Sequence, residues 1–478
     1  MREDPGSLRA ALTAAVGAER VLDGAEDLAY YGADRCRGGW PVAPSRIVLP
    51  ATIAEIQAVV RACAAHGVAI VPSGGRTGLA GAATATAGEV VLSLARMQRL
   101  SPVDATARTL LCEAGATLQA VQEAAAAAGL LYPVDYASKG SAQIGGSVAT
   151  NAGGVKVIRY GLTREWVAGL TVVLASGEVL ELGGGLIKNN TGYDLRHLFI
   201  GSEGTLGVIA EVTVRLCQPP AGLQVALAAI PDDRRIVDFF ARMRASGLTL
   251  TAFECFDHGC VAHVLHHRGR EGDAPFERPS PRYALCEVEV PEPGAAAAER
   301  IGERLTEALA EAQEAGVIDD AVLAATPAQA QALWELREGI SESLHRYTPH
   351  KADIALPIAE VAAFLAAWRP LVAARLPGID ALCFGHVGDG NLHLNLLRPE
   401  AMVLGEFLGR CHAFEDELFG LVRAHGGSIS AEHGVGLLKR AHLHYSRTPT
   451  EIAAMQGIKA VLDPGGVFNP GKIFAWPR

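Results

Sequence analysis

Two histidines flank an Asp389-Gly390 pair in the C-terminal third of the chain. An Asp-Gly pair is typical of a two-residue β-hairpin turn, because both residue types tolerate positive φ. A hairpin that turned there would place His386 directly opposite His393, with Cβ atoms about 4.5–5.5 Å apart on one face. Two imidazoles at that separation can share a metal ion. Asn395 lies two residues beyond His393 and would point to the same face.

A catalytic metal site with an open coordination position needs a third protein ligand. Glu432 is the candidate, because Gly434 and Gly436 permit an irregular loop that also carries His433. The alternative is that each histidine is an ordinary structural residue, or that the metal is structural. A structural metal would favour four protein ligands without a spare histidine, so the pattern favours a catalytic site.

Three glycine-rich segments precede this region, at residues 71–81, 140–154 and 201–209. Closely spaced glycines let backbone N–H groups converge on phosphate oxygens, although any one segment could be an ordinary glycine-rich turn. Three such segments together indicate a large cofactor lying against the backbone. The chain contains neither a GxGxxG fingerprint nor a Walker A motif, which argues against a nicotinamide cofactor on a Rossmann domain.

Alternating helix and strand signals run through the first 215 or so residues and must position these segments. Thr52 and Glu55 form a capping-box pattern that opens a helix to about residue 65, followed by a strand at 68–71. Residues 206–216 alternate apolar and other positions with a period of two, which predicts a half-buried strand. Residues 170–182 predict two strands joined at Ser176-Gly177.

Pro219-Pro220 marks a domain boundary, since proline interrupts both helices and strands. Beyond it we predict an α+β layer whose strand–helix unit is repeated after a polar loop at 267–282. The predicted strands are 225–230, 248–256 and 282–290, and the predicted helices are 232–246 and one after Pro293. The expected domains are 1–219 for the cofactor, 220–440 for substrate and metal, and 441–478 returning to the first domain.

Composition excludes several classes of function. The chain has 478 residues and a formal net charge of −10, whereas a nucleic-acid partner requires a basic surface. Nine dispersed cysteines indicate reduced thiols in a cytoplasm and exclude an iron–sulfur cluster. Neither a secretory signal nor a transmembrane segment is predicted. A cytoplasmic protein is therefore expected, with peripheral membrane association and a homodimer left open.

The glycine-rich segments resemble those of the vanillyl-alcohol-oxidase and p-cresol-methylhydroxylase flavoproteins, and the similarity covers nearly the whole chain. This resemblance implies an α+β fold, with a two-subdomain FAD-binding domain, a ferredoxin-like substrate domain and a C-terminal return segment. The implied FAD contacts are Pro72, Ser73, Gly74, Gly75, Arg76, Thr77, Gly78, Leu79, Pro133, Gly140, Ser141, Gly145, Gly146, Asn151, Gly153, Gly154, Tyr160, Gly161, Glu203, Gly207, Ile209 and Asn469.

Some members of that family attach FAD through a histidine in the first glycine-rich segment. Here Arg76, Thr77 and Gly78 occupy the region, and no histidine occurs from residue 67 to 196. The sequence therefore predicts noncovalently bound FAD.

The histidine and glutamate pattern resembles the branch of this family that oxidises D-2-hydroxyglutarate and D-lactate. The resemblance implies that His386, His393 and Glu432 hold a divalent metal, usually zinc, with Mn²⁺ or Fe²⁺ as alternatives. It implies that His433 is the base and also a substrate contact. The expected reaction removes a proton from the α-hydroxyl and transfers the α-hydride to the flavin, giving a 2-oxo acid.

Substrate carboxylates need cations. Arg337 and Ser341 are four residues apart in a helical pattern, which would place them on one face, although a solvated helix surface is the ordinary alternative. Arg337 matches a carboxylate-binding arginine of the family, and Ser341 stands where the hydroxyglutarate branch usually has threonine. Lys351 matches a lysine of that branch, and with Ser341 and Asn395 it predicts a second carboxylate on the substrate.

D-2-hydroxyglutarate is therefore the expected substrate, with D-lactate or D-malate as alternatives. The alternative of a different class is an FAD-binding electron-transfer subunit without turnover, which should lack the metal ligands. An external electron acceptor is expected, such as an electron-transfer flavoprotein, a cytochrome or a quinone.

Overall fold

The structure is a computed structural model that describes residues 5–36 and 38–476. The chain forms two compact units. The first comprises the described residues of Met1–Gly153, Leu162–Pro219 and Glu432–Arg478, and the second comprises Gly154–Gly161 and Pro220–Ala431. The predicted boundary at residue 219 coincides with this division, whereas residues 432–440 belong to the first unit and 154–161 to the second.

The described residues form fifteen strands and sixteen α-helices, numbered in chain order. The strands are β1 Val21–Leu22, β2 Arg46–Val48, β3 Ile70–Ser73, β4 Val90–Ser93, β5 Thr109–Glu113, β6 Val167–Val173, β7 Val179–Gly183, β8 Val208–Arg215, β9 Gly222–Ile230, β10 Leu250–Asp257, β11 Arg282–Val290, β12 Asp320–Leu323, β13 His350–Ala355, β14 Asp380–Gly385 and β15 Asn391–Leu397. The helices are α1 Pro5–Val16, α2 Ala25–Tyr31, α3 Ile53–Ala65, α4 Leu118–Ala127, α5 Ile144–Thr150, α6 Val157–Tyr160, α7 Thr163–Trp166, α8 Arg196–Phe199, α9 Asp233–Ala245, α10 His258–His267, α11 Ala295–Glu314, α12 Pro327–Glu338, α13 Ile340–Ser343, α14 Val361–Arg375, α15 Leu404–Ala424 and α16 Pro449–Leu462.

The first unit contains two four-stranded sheets, ordered β1-β2-β4-β3 and β5-β8-β6-β7. The first sheet pairs β2, β4 and β3 in parallel, and the second is antiparallel throughout. Apolar residues of both sheets and of helices α1, α3, α4 and α5 share one buried core. This arrangement is the expected two-subdomain architecture, in which each glycine-rich segment lies at the end of a strand or between short elements.

The second unit is built on a seven-stranded antiparallel sheet, ordered β12-β9-β11-β10-β14-β15-β13. Its first four strands follow the ferredoxin-like order, in which the fourth strand pairs with the first and the third lies between the first and second. The remaining three strands extend this sheet, so that β13 is an edge strand. The α+β and ferredoxin-like predictions are therefore confirmed.

Most local predictions are confirmed because the relevant signals are short-range. The Thr52 side chain accepts a hydrogen bond from the Glu55 N–H at the start of α3, and Gly67 then adopts φ 62°. The strands at 170–182 form an antiparallel pair turning at Ser176-Gly177, with Gly177 at φ 79°. The strand at 206–216 is β8, and its exposed and buried positions alternate over its second half.

The predicted hairpin register around Asp389-Gly390 is wrong. Val387–Asp389 forms a 3₁₀ turn, so the connection between β14 and β15 is five residues long and Phe384, not His386, pairs with His393. The Asp389 carboxylate accepts the Asn391 N–H at 3.1 Å, which stabilises a turn instead of an extended strand.

The helical pattern predicted for residues 334–341 is interrupted at Gly339, so Arg337 and Ser341 lie on two different helices. Helix α12 ends at Glu338 and the short helix α13 begins at Ile340.

Among the described residues, no helix of the chain is both long and apolar enough to cross a membrane.

Candidate active site

The first two glycine-rich segments meet inside the first unit. A Cβ atom on Gly75 would lie 2.0 Å from the carbonyl oxygen of Ser141, and one on Gly74 would lie 3.4 Å from Oε1 of Gln143. The backbones can approach this closely only because Gly75 has no side chain. Residues Ile144–Thr150 form the short helix α5, so the second segment is partly helical and not extended throughout.

Glu203 and Asn469 connect the third segment and the C-terminal tail to the same place. Both residues adopt positive φ, 52° for Glu203 and 41° for Asn469. The Asn469 Nδ2 group donates to the Glu203 carbonyl oxygen at 2.7 Å and to the Ala82 carbonyl oxygen at 3.1 Å. The Glu203 N–H donates to the Ala149 carbonyl oxygen at 2.8 Å. Four separate parts of the sequence therefore converge in this unit.

Several buried polar atoms in these segments have no hydrogen-bond partner among the described residues. They include Ser73 Oγ, Gln143 Oε1 and Asn469 Oδ1, and their side chains are at most 8% exposed. Unpaired buried polar atoms are costly unless a ligand satisfies them. Together with the close glycine contacts, they form a cradle that fits a ligand with many hydrogen-bonding groups, such as FAD.

Arg76 stands where some members of the resembling family carry the flavin-linking histidine. Its guanidinium stacks over the rings of Tyr30 and Tyr31, at 4.3 and 4.7 Å from their centroids. Arg76 is held at φ 56° in this loop. An arginine cannot form the histidyl–flavin bond, so this position supports noncovalent binding.

In the second unit, one face of the sheet carries three of the predicted metal and substrate residues. Lys351 pairs with Asn395 across β13 and β15, and His393 pairs with Asp353 on one side and Phe384 on the other. Directly paired residues of antiparallel strands point to the same face. The fold therefore brings together His393, Asn395 and Lys351 as predicted, and adds Asp353.

His386 joins this group by way of the 3₁₀ turn, despite the different register. Its ring centroid lies 5.3 Å from that of His393, and the two rings are almost perpendicular. The predicted histidine pair is therefore present, although it arises from the turn and not from directly opposed strand positions.

A buried carboxylate on β10 fixes His386 and Arg337. Glu254 is 1% exposed, and its two oxygens lie 2.7 Å from Nδ1 of His386 and 2.7 Å from Nε of Arg337. Burial alone would raise the pKa of the Glu254 carboxyl, but His386 and Arg337 outweigh it and hold that pKa below its ordinary value. Because Glu254 engages Nδ1 of His386, a metal ion would be bound through Nε2.

Asp353 is a second buried carboxylate beside the histidines. It is 2% exposed and accepts hydrogen bonds from Asn391 Nδ2 at 2.9 Å and from the Ala431 N–H at 3.1 Å. One of its oxygens lies 3.7 Å from Nδ1 of His393, beyond hydrogen-bond distance. Asp353 thus places an acidic group next to His393. Its hydrogen bond from the Ala431 N–H also holds the last residue of the second unit.

Glu432 and His433 lie in the first unit, at the start of its last segment. His433 Nε2 and Glu432 Oε1 are 3.6 Å apart. The loop that follows is tied to the buried Glu203, whose two oxygens accept the N–H groups of Val435 and Gly436 at 2.8 and 2.7 Å. Burial raises the pKa of Glu203 despite these two hydrogen bonds. Glu203 therefore holds the loop that follows His433, a role that its prediction as an FAD contact did not include.

Four substrate candidates differ in burial. Arg337 is 7% exposed, whereas Ser341 and Lys351 are exposed, so Arg337 and Ser341 do not share the predicted single helix face. Because Lys351 is exposed, burial of its ammonium group gives no argument for a second substrate carboxylate. Asn395 is 1% exposed, and its Oδ1 has no partner among the described residues, which leaves it available to a ligand.

Sequence reasoning missed Glu254 and Asp353. Each stands between apolar neighbours in its strand, and a carboxylate flanked by apolar residues is the signal that could have indicated them. Among the predicted FAD contacts, Gly154, Tyr160 and Gly161 fall in the second unit, whereas the others belong to the first.

Comparisons with known proteins agree with this arrangement. A family model described as "FAD linked oxidases, C-terminal domain" matches residues 220–473, and one described as "FAD binding domain" matches residues 44–183. The chain belongs to the FAD-linked oxidase family. It is therefore an FAD-dependent oxidoreductase, and its fold is that of the flavoproteins it was expected to resemble.

Relatives of this FAD-linked oxidase include proteins named D-2-hydroxyglutarate dehydrogenase. The one from Xanthomonas citri pv. viticola is 48% identical over 464 residues, which cover 97% of this chain and 96% of the relative. The mitochondrial one from Bos taurus is 39% identical over 434 residues, covering 90% of this chain and 77% of the relative.

Solved structures show the same fold at low sequence identity. A p-cresol methylhydroxylase structure with substrate bound has a TM-score of 0.78 and 18% identity, covering 99% of this FAD-linked oxidase and 98% of that chain. An alkyldihydroxyacetonephosphate synthase has a TM-score of 0.74 and 16% identity, covering 98% and 85%.

Proposed function

We propose that this FAD-linked oxidase converts a D-2-hydroxy acid, D-2-hydroxyglutarate before D-lactate or D-malate, to the 2-oxo acid. The observation that carries the proposal is the buried Glu254 carboxylate, which contacts both Arg337 and His386, and the His386 ring lies 5.3 Å from that of His393. The names of the relatives supply the substrate class.

In this proposal His386, His393 and Glu432 hold a divalent metal, with zinc as the first choice. Two imidazoles and a carboxylate suit zinc and leave a coordination position open for substrate. The Glu254 contact to Nδ1 of His386 supports the assignment, because metal-binding histidines usually donate their other N–H to a carboxylate or carbonyl. A divalent metal, when bound, acts as a Lewis acid that lowers the pKa of the substrate hydroxyl.

We assign His433 as the base that takes the hydroxyl proton. It stands beside Glu432 in a loop held by the two hydrogen bonds to Glu203, so its backbone is well positioned. A positioned base of this kind contributes about 10²–10⁴-fold to rate.

Arg337 is assigned to the substrate carboxylate next to the reacting carbon. The Nε–H of Arg337 donates a hydrogen bond to Glu254. We assign the two Nη groups of Arg337 to the oxygens of the substrate carboxylate. Asn395, Ser341 and Lys351 are assigned to the second carboxylate of a dicarboxylate substrate. The cross-strand pairing of Lys351 with Asn395 supports that grouping.

FAD is bound noncovalently in this proposal, and the four converging segments of the first unit hold it. When bound, it accepts the hydride from the substrate. The electrons then pass to an external acceptor, for which an electron-transfer flavoprotein, a cytochrome and a quinone are the candidates. The cytoplasmic location and the homodimer stay predictions of the sequence.

The test is a panel of D- and L-2-hydroxy acids with an artificial electron acceptor, with and without a chelator. We expect turnover of D-acids alone, with D-2-hydroxyglutarate showing the highest kcat/KM, and loss of activity but not of flavin after chelation. His386→Ala should behave like chelated wild type. Turnover of none of these acids would contradict the proposal and favour an electron-transfer subunit.

A further inference from the structure

A second group of metal-binding side chains lies in the second unit, away from the histidine pair described above. It consists of His350, His412 and Glu415, which we call the outer-face cluster. His350 is the first residue of β13, and the other two lie one turn apart on α15. Because strand side chains alternate, His350 points to the opposite face of the sheet from Lys351 and Asp353. This cluster is therefore separate from the proposed catalytic residues.

The three side chains are already close enough to share an ion. One potential ligand atom from each lies within 4.8 Å of the others. Nε2 of His350 lies 3.2 Å from Oε1 of Glu415, and the rings of His350 and His412 are 5.6 Å apart between centroids. A tetrahedral zinc with bonds of about 2.0–2.2 Å separates its ligand atoms by about 3.3–3.6 Å. Small side-chain rotations would therefore give zinc geometry.

A small cavity next to the cluster provides a second, independent observation. His350, Glu415 and Trp368 line it together with six apolar residues, and its volume is about 10 Å³. That volume is about the minimum that holds one water molecule. Trp368 is 1% exposed, and its Nε1 has no hydrogen-bond partner among the described residues. An acceptor within hydrogen-bond reach of Nε1 would satisfy the indole N–H.

We propose that the outer-face cluster binds a divalent zinc-like cation through His350, His412 and Glu415. A water in the adjoining cavity would be the fourth ligand and would accept the Trp368 N–H. Two imidazoles and one carboxylate match the ligand preference of zinc and exclude calcium, which takes oxygen ligands. The ion would link the edge strand β13 to helix α15.

An ion that links β13 to α15 would also stabilise the opposite face of the sheet, which carries the proposed substrate-binding residues. Among the described strands, β13 pairs with β15 alone, and a single bridge joins Ala355 at its end to Ser428. The other face of β13 carries Lys351 and Asp353. An ion bound to His350 would fasten the start of this edge strand to a 21-residue helix. The ion would thus stabilise the strand that carries part of the substrate-binding face, although a water as fourth ligand distinguishes it from the four-protein-ligand shell that is usual for structural zinc.

Metal stoichiometry of the flavin-loaded full chain, without an affinity tag, tests this proposal. The protein is equilibrated with zinc, dialysed, and measured by mass spectrometry of the metal. We expect about two ions per chain for wild type and about one for His412→Ala or Glu415→Gln. Glu406→Gln is the matched control, since Glu406 is an exposed carboxylate on the same helix, and it should retain both ions.

His386→Ala separates this site from the proposed catalytic metal. It should also retain about one ion, and the double variant His386→Ala/His412→Ala should retain none. Wild type with one ion that is lost in His412→Ala but kept in His386→Ala would support the outer-face site and contradict the catalytic metal. Unchanged stoichiometry in both His412→Ala and Glu415→Gln would overturn the outer-face site.

Thermal unfolding gives a second readout that does not depend on activity. A ligand that binds only the folded state raises Tm with its concentration. Added zinc should raise Tm more for wild type and Glu406→Gln than for His412→Ala. Because His412 is exposed, its replacement leaves the core intact. An equal zinc-dependent rise in all three proteins would count against the proposal.

Discussion

One oxygen of Glu254 lies 2.7 Å from Nδ1 of His386, and this contact connects a buried strand to the loop of a proposed metal ligand. The other oxygen holds Arg337 at the same distance. A single carboxylate thus sets the orientation of one residue assigned to the metal and one assigned to the substrate. Because Glu254 is buried, water cannot replace it in either role.

Replacing Glu254 by glutamine should weaken metal binding without removing a ligand. The amide lacks the negative charge, so it stabilises the His386 tautomer less and leaves Arg337 unpaired. Removing such a supporting partner typically costs 10–100-fold in metal affinity. Zinc titration of Glu254→Gln should show a loss of about that size. The control is Glu287→Gln. Glu287 is a buried carboxylate of the same sheet, and it accepts a hydrogen bond from Trp334 Nε1 at 3.0 Å. Equal affinity in the two variants would disprove the positioning role.

His433→Ala and Glu432→Ala should have different effects. We expect His433→Ala to lower kcat by about 10²–10⁴-fold with its metal content unchanged, since a base is lost and no ligand is. Glu432→Ala should lose metal. The rate of flavin reduction after rapid mixing and the metal content of both variants are the measurements that test this difference. If His433→Ala emptied the metal site, the two roles would have to be exchanged.

Lys351→Ala should reduce the preference for dicarboxylates. Hydrogen bonds to charged groups are worth about 1.5–3 kcal/mol, or about tenfold to a hundredfold in kcat/KM. Because Lys351 is exposed, we expect the lower end, about tenfold, for D-2-hydroxyglutarate and little change for D-lactate. Arg346→Ala, an exposed cation five residues earlier, is the control. An equal loss on both substrates would exclude a second-carboxylate contact.

Gly75→Ala should lower the flavin content of the purified protein. Its new Cβ would meet the Ser141 carbonyl oxygen at 2.0 Å, so the first two glycine-rich segments would have to separate. Gly185→Ala, whose Cβ would contact nothing within 4 Å, should keep full flavin content. The ratio of flavin to protein absorbance is the measurement. Normal flavin content in Gly75→Ala would show that this close approach is not required.

Acid or heat should release the flavin from the polypeptide. Arg76 occupies the position of the linking histidine and is held over two tyrosine rings, so no imidazole of that loop can form the covalent bond. After acid precipitation, the yellow colour should stay in the supernatant. Flavin that remained with the precipitate would contradict noncovalent binding.

The sequence predicted short-range structure well because the signals act between near neighbours. The cap at Thr52, the turn at Ser176-Gly177 and the alternation along β8 need only a few residues each. The turn at Asp389-Gly390 was predicted with the wrong register, because an Asp-Gly pair also suits a longer connection. The side-chain hydrogen bond from Asp389 favoured the 3₁₀ form.

The identities of the candidate site residues were available from the sequence, but their supporting contacts were not. His386, His393 and Arg337 could be chosen by residue type, spacing and resemblance. Glu254 lies more than 80 residues before either partner that it holds, and no local pattern connects them. Strand pairing between β10 and β14 brings these distant segments side by side.

By itself, the sequence determined the α+β class, the three glycine-rich segments, the absence of a flavin-linking histidine in the first of them, and the residue types for a His₂Glu metal set. Only the tertiary structure decided which side chains are buried and what they bond. It buried Arg337 against Glu254, left Lys351 exposed, and placed His350 opposite helix α15. The reason is physical: local patterns fix backbone conformation, whereas burial and long-range pairing depend on how the whole sheet is assembled.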